Sequence, residues 1–115
     1  MSRKPKQPKA GYIRKISAYP GLASSKVGAI GELRTSVDLL AKGYEVFISL
    51  SPDGSCDLIA LKNGKCLRIE VRTSHYASDG QVYLHVSPRD KGRQDHYAAV
   101  LPDKILYFPD LSSCI

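Results

Sequence analysis

Asp57, Glu70 and Arg72 are spaced so that a single turn could bring them together around a metal ion. Between them lies Asn63-Gly64, the strongest short-range signal for a two-residue type I′ hairpin, in which both central residues need φ > 0. With that loop, Lys62 faces Lys65, Ile59 faces Arg68, and Asp57 stands opposite Glu70, with Arg72 on the same face as Glu70. Directly opposed carboxylates, with Cβ atoms ~4.5–5.5 Å apart, normally destabilise a sheet. Such a pair is expected to share a positive group, most simply a divalent cation held by oxygen ligands. Leu58, Ala60, Leu67, Ile69 and Val71 line one side of this hairpin, and Ile59, Leu61 and Cys66 accompany the acids on the other. Strands apolar on both faces are expected in a sheet interior, where an unpaired charge is costly. The plain alternative is a solvated pair of Glu70 with Arg68 or Arg72.

The elements that must position these residues can be read in order. Ser24 or Ser25 can cap a helix in which Val27, Ile30, Leu33, Val37, Leu40 and Ala41 recur at three- and four-residue spacing, with Gly43 at its end. This stripe is expected to face the core, with Glu32 beside core residue Leu33. Gly28 and Gly31 suggest close approach to backbone or substrate. Tyr44–Leu50 reads as a strand, Ser51-Pro52-Asp53-Gly54 as a turn, and Cys56–Lys62 with Lys65–Arg72 as the hairpin. A polar loop over Thr73–Gly80 leads to a strand at Gln81–Val86. The polar, basic Ser87–Asp95 follows, and then a strand pair at Tyr97–Leu101 and Lys104–Phe108. The expected class is α/β in the α+β sense: a mixed sheet of about five strands with one long helix packed on it.

With 115 residues the chain has room for one core. Arg3, Lys4, Lys6, Lys9, Arg14 and Lys15 precede Ile16 with no acid among them, and they account for the whole +6 net charge. Interspersed with Pro5 and Pro8, they predict an extended basic arm over residues 1–20 and a folded domain over 21–115. Basic arms follow nucleic-acid backbones, although a solubility tail has the same composition. Cys56, Cys66 and Cys114 have no zinc spacing, and their odd number argues against a secreted disulfide framework. Cys56 and Cys66 are expected as small buried apolar residues. His75, His85 and His96 are not spaced as ligands and are paired with no nucleophile. No apolar run is long enough to span a bilayer, so the expectation is a soluble intracellular protein without membrane partners.

Glu32 on a helix, Asp57 on one strand and Glu70-Val71-Arg72 on the next resemble the PD-(D/E)XK nuclease superfamily, closest to its Holliday-junction-resolvase-like and small endonuclease branches. The carrying segments are Gly28-Ala29-Ile30-Gly31-Glu32, Gly43-Tyr44-Glu45-Val46, Ser55-Cys56-Asp57-Leu58-Ile59-Ala60 and Ile69-Glu70-Val71-Arg72-Thr73-Ser74. Tyr97-Ala98-Ala99-Val100 and Ile105-Leu106-Tyr107-Phe108-Pro109 extend the likeness to most of the chain beyond the arm. The resemblance implies a restriction-endonuclease-like core and a metal-dependent DNA endonuclease, with branched Holliday-junction DNA among the candidate substrates. It implies a homodimer and no organic cofactor. Asp57, Glu70, the Val71 carbonyl and Glu32 would hold Mg2+ (or Mn2+), and Arg72 would hold the water or a phosphate oxygen.

Backbone contacts to DNA would come from Arg3, Lys4, Lys6, Lys9, Arg14, Lys15, Ser74, Arg89, Lys91 and Arg93. Two departures stand out. The superfamily motif ends in Lys where this chain has Arg72, whose fork geometry differs and which does not serve as a base. The segment from Ser87 to Asp95 is also too short and polar for the second helix common in that superfamily. Arg72 therefore keeps open a different class, a catalytically impaired nuclease fold used for DNA binding or assembly. A basic RNA-binding protein driven by the arm is a third.

Overall fold

The Asn63-Gly64 turn forms as its sequence demands, with φ of 51° at Asn63 and 77° at Gly64. In this computed structural model, which describes residues 19–51, 54–84 and 92–114, that turn joins the two central strands of the domain. The elements are α1 (Ser24–Ala41), β1 (Glu45–Ile48), β2 (Leu58–Lys62), β3 (Lys65–Thr73), β4 (His96–Val100) and β5 (Ile105–Phe108), closed by a 3₁₀ turn at Leu111–Cys114. The strands form one mixed sheet in the order β1-β2-β3-β4-β5. Only β3 and β4 run parallel; every other neighbouring pair is antiparallel. This is the expected mixed five-strand sheet with a helix packed on it.

The hairpin register runs as expected from Lys62↔Lys65 through Ile59↔Arg68 to Leu58↔Ile69. Leu58, Ala60, Leu67, Ile69 and Ala98 then share one face and form the core with Leu39 of α1. The opposite face is less covered than the sequence suggested. Ile59 and Leu61 are half-buried and Cys66 is exposed, while Tyr97 and Ala99 of β4 are buried. Cys56 is buried as expected.

Helix α1 departs from its reading in two ways. Ala23 stands at the N-cap with no side-chain hydrogen bond, so neither serine caps it. More consequentially, the face turned to the sheet carries Gly31, Thr35, Ser36 and Leu39, whereas Leu33, Val37 and Leu40 are exposed. The wide aliphatic stripe points away from the core. Small inner residues let the helix lie close: a Cβ at Gly31 would meet Val71 Cγ1 at 3.5 Å, an ordinary contact, while one at Gly28 would meet nothing. Thr35 settles its buried hydroxyl by donating to the Gly31 carbonyl at 2.8 Å.

The C-terminus of α1 is closed by its own backbone. Gly43 takes φ of 91°, its N–H donates to the Leu40 carbonyl and the Tyr44 N–H to the Leu39 carbonyl, the pair of bonds that defines a Schellman motif. Of the strand expected at Gln81–Val86, the described residues 81–84 form only an isolated bridge, between Tyr76 and Val82, and His85 and Val86 lie outside the described residues. Turn chemistry prevails there: Asp79 accepts the Gln81 N–H and the Tyr83 hydroxyl, folding the segment back on itself.

Candidate functional site

Regular pairing of β2 and β3 ends at Leu58↔Ile69, one residue short of the expected Asp57–Glu70 pair. The Asp57 N–H donates to the Ile69 carbonyl at 3.0 Å, and Asp57 Oδ2 accepts the Val71 N–H at 2.8 Å. A side-chain oxygen thus replaces the backbone acceptor that a continued ladder would have supplied. The carboxylate is thereby aimed at the β3 backbone instead of standing directly across from Glu70, and this corrects the register at its last step. Oδ1 has no hydrogen bond among the described residues. In a strand, the N–H and C=O of one residue leave on the same side, so the Val71 carbonyl emerges beside Asp57.

Glu32 reaches this end of the sheet from the first half of α1. Its carboxyl is pushed above the ordinary glutamate range, first by burial and then by the negative charge of Asp57. It has no hydrogen bond or ion pair among the described residues. Glu70 and Asp57 both raise the Cys56 thiol, after the larger effect of burial, so the two carboxylates share one neighbourhood. Glu70 is not free of partners: Arg72 Nη1 lies 2.9 Å from its Oε1, and the Arg72 guanidinium lies 5.9 Å from the centre of the Tyr97 ring. The parallel register sets this up, with Glu70 beside Tyr97 and Arg72 beside Ala99.

The donor set is hard oxygen: two or three carboxylates and a carbonyl. Among the described residues, no three His, Cys, Asp or Glu side chains are gathered into a ready cage for an ion. Carboxylates of this kind suit Mg2+, which commonly takes one or two of them and completes its shell with water and substrate oxygens. The unrelieved negative charge between Glu32 and Asp57 is what such a cation would offset.

Arg68, unexplained by the sequence, has a structural task. Its backbone N–H and guanidinium both donate to the Asp95 carboxylate, its Nη1 donates to the Gly92 carbonyl, and Asp95 N–H donates back to the Arg68 carbonyl. This clasp fixes the entry to β4. Ser74 is buried and its hydroxyl donates to the Arg72 carbonyl at 3.3 Å, which turns it inward from any surface. Arg93 is exposed. Arg3, Lys4, Lys6, Lys9, Arg14, Lys15, Arg89 and Lys91 lie outside the described residues. His96 is buried, with Nδ1 2.7 Å from the Pro109 carbonyl. Tyr97, on which Arg72 rests, had no signal in the sequence, because a parallel neighbour comes from a crossover that spacing does not reveal. No helix among the described residues is long and apolar enough to cross a membrane.

The chain matches no protein-family profile and no curated protein. Among solved structures it is similar to a bacterial homing endonuclease, at 21% sequence identity and a TM-score of 0.59, covering 74% of this chain and 67% of that one. That similarity gives the fold: this is a sheet-and-helix core of a kind found in a nuclease.

Proposed function

We propose that the chain is a metal-dependent DNA endonuclease of the PD-(D/E)XK type that hydrolyses phosphodiester bonds. The observation carrying this reading is Glu32, a half-buried carboxyl that has no hydrogen bond or ion pair among the described residues and feels the negative charge of Asp57, next to Glu70-Val71-Arg72 in the hairpin. Side chains that serve only the fold are paired when buried; a group held against both burial and a like charge marks a functional site. The likeness to a homing endonuclease supports the same reading.

Asp57, Glu70, the Val71 carbonyl and Glu32 would hold Mg2+ or Mn2+. When bound, the ion would polarise the phosphoryl oxygen and lower the pKa of an attacking water. Asp57 is oriented for this by the Val71 N–H, which fixes one oxygen and leaves the other available. Glu32, its carboxyl raised by burial and by Asp57, would complete the site from the helix, as a ligand or through a coordinated water. Arg72, steadied by Glu70 and Tyr97, would supply positive charge to a phosphate oxygen as negative charge grows there. Two such sites, in a homodimer, would cut both strands of a duplex or a four-way junction.

The Glu70–Arg72 ion pair favours a second reading, in which the site is locked and the fold serves DNA binding or assembly. Cleavage assays separate the two. Labelled junction, duplex and single-stranded DNA are incubated with Mg2+, Mn2+ or EDTA, comparing the native chain with Glu70→Gln and Arg72→Lys. The endonuclease reading expects metal-dependent cutting that Glu70→Gln removes. Metal-dependent binding or no cutting of any substrate selects the binding module, and equal cutting by Glu70→Gln refutes the site.

A further inference from the structure

We infer that the outer face of α1 docks an acidic amphipathic helix of a partner protein. Leu33, Val37 and Leu40 are 59%, 66% and 57% exposed, although the buried side of the same helix carries only one large aliphatic residue, Leu39. A helix of eighteen residues that sends its larger aliphatics outward is amphipathic in the reverse sense for its own domain. Exposed apolar patches of this kind mark interaction surfaces.

The spacing identifies the shape of the occupant. Ile30, Leu33, Val37 and Leu40 fall at alternating intervals of three and four, the a and d positions of a heptad. A strict a/d seam is narrower than a core-facing stripe and is the pattern one helix presents to another. Ile105, at the start of β5, forms a second wall with Lys104, giving a groove of about 520 Å³ floored by Ile30, Leu33, Val37 and Ala41.

Charge identifies the chemistry of the occupant. Arg34 and Lys104 line the groove, and neither has a hydrogen bond or ion pair among the described residues. Asp38, the acid on the groove, is already committed to Lys42 at 2.8 Å and to the Tyr107 hydroxyl at 2.6 Å. A second α1 laid on the seam would bring Ala29, Arg34, Ser36 and Ala41 to its flanks, with no acid to meet Arg34. The chain's own N-terminal segment would set cations against cations, since Arg3 to Lys15 contains no acid. An occupant with apolar a and d positions and glutamate or aspartate beside them satisfies both the floor and the rim.

The inference is independent of the catalytic reading, because Arg34, Val37 and Lys104 have no part in it. Three labelled helical peptides of equal length serve as probes for the full chain by fluorescence anisotropy: leucine at a and d with glutamate at e and g, the same with lysine at e and g, and a scramble of the glutamate peptide without the seam. The glutamate peptide is expected to bind about tenfold or more tighter than the other two, and Val37→Glu to remove that advantage. Charge reversal by Arg34→Glu with Lys104→Glu is expected to switch preference to the lysine peptide. Such a gain cannot come from misfolding. Equal binding of the scramble, or unchanged preference after charge reversal, overturns the inference. So does a native dimer in sedimentation that Val37→Glu dissociates, since the occupant would then be a second copy.

Discussion

The two ends of the β2–β3 hairpin are built on opposite principles. At the turn end the lysines and the turns are tied in. Lys62 donates to the Lys42 carbonyl at 2.8 Å, its ammonium lies 5.0 Å from the centre of the Tyr44 ring, and Lys42 pairs with Asp38. Asn63, Gly64 and Gly43 occupy the positive-φ positions that their turns require. At the open end pairing stops early, a carboxylate substitutes for a carbonyl, and Glu32 is held near a like charge. Where local rules are obeyed the hairpin gains stability; where they are broken lies the site proposed to bind a cation.

Substitutions at the two ends should therefore separate activity from stability. The largest effect belongs to the open end: Asp57→Asn should lower metal-dependent cleavage by on the order of 10²–10³-fold, measured as single-turnover rate on duplex or junction DNA. Asp57→Ala should do the same and also unfold more easily, by about 1–3 kcal/mol in urea, because the Val71 N–H loses its acceptor. At the turn end, Gly64→Ala should cost roughly 1–2 kcal/mol for a left-handed residue with a Cβ while leaving the cleavage rate per folded molecule unchanged. If Gly64→Ala abolished cleavage without unfolding the chain, the division between the ends would fail.

Glu32→Gln sharpens the contrast, because it should lower cleavage yet raise the melting temperature at neutral pH. The sign follows from its raised carboxyl. The folded chain binds more protons than the unfolded chain between the ordinary glutamate range and the raised one, so stability falls as pH rises through that window. The gain from Glu32→Gln should therefore be full above the window, fade as pH falls through it, and be absent below the ordinary glutamate range. Thermal melts across pH, without metal, test this. Added Mg2+ should reduce the same gain by stabilising the native carboxylate cluster. The smallest effect is expected from Gly31→Ala, whose Cβ meets only ordinary contacts; a stability change within about 1 kcal/mol is expected.

The same contrast explains what could be read in advance. Asn63-Gly64 and Gly43 announce their turns because few residues tolerate positive φ, so the register of β2 and β3 was legible down to Leu58↔Ile69. The step at Asp57 was not, because a side chain replacing a backbone acceptor leaves no trace in spacing. Residues of α1 were legible as a helix but not as to which side faces inward. Periodicity locates a stripe and cannot tell a core from a docking face, and here Gly31 and Thr35 face the sheet. At Gln81 and Tyr83, inside the strand expected over Gln81–Val86, local hydrogen bonds to Asp79 prevail over β-propensity. Arg72 was visible as a charge beside Glu70, whereas its seat on Tyr97 depended on a parallel crossover.

On the proposed reading, the open end of the hairpin binds a divalent cation through Asp57 and its neighbours. Mn2+ binding, followed by electron paramagnetic resonance with the chain bound to a non-cleavable phosphorothioate duplex, tests it most directly. The account predicts saturable binding that weakens about tenfold or more in Asp57→Asn and is unchanged in Gly64→Ala. Equal binding by the native chain and Asp57→Asn would contradict it.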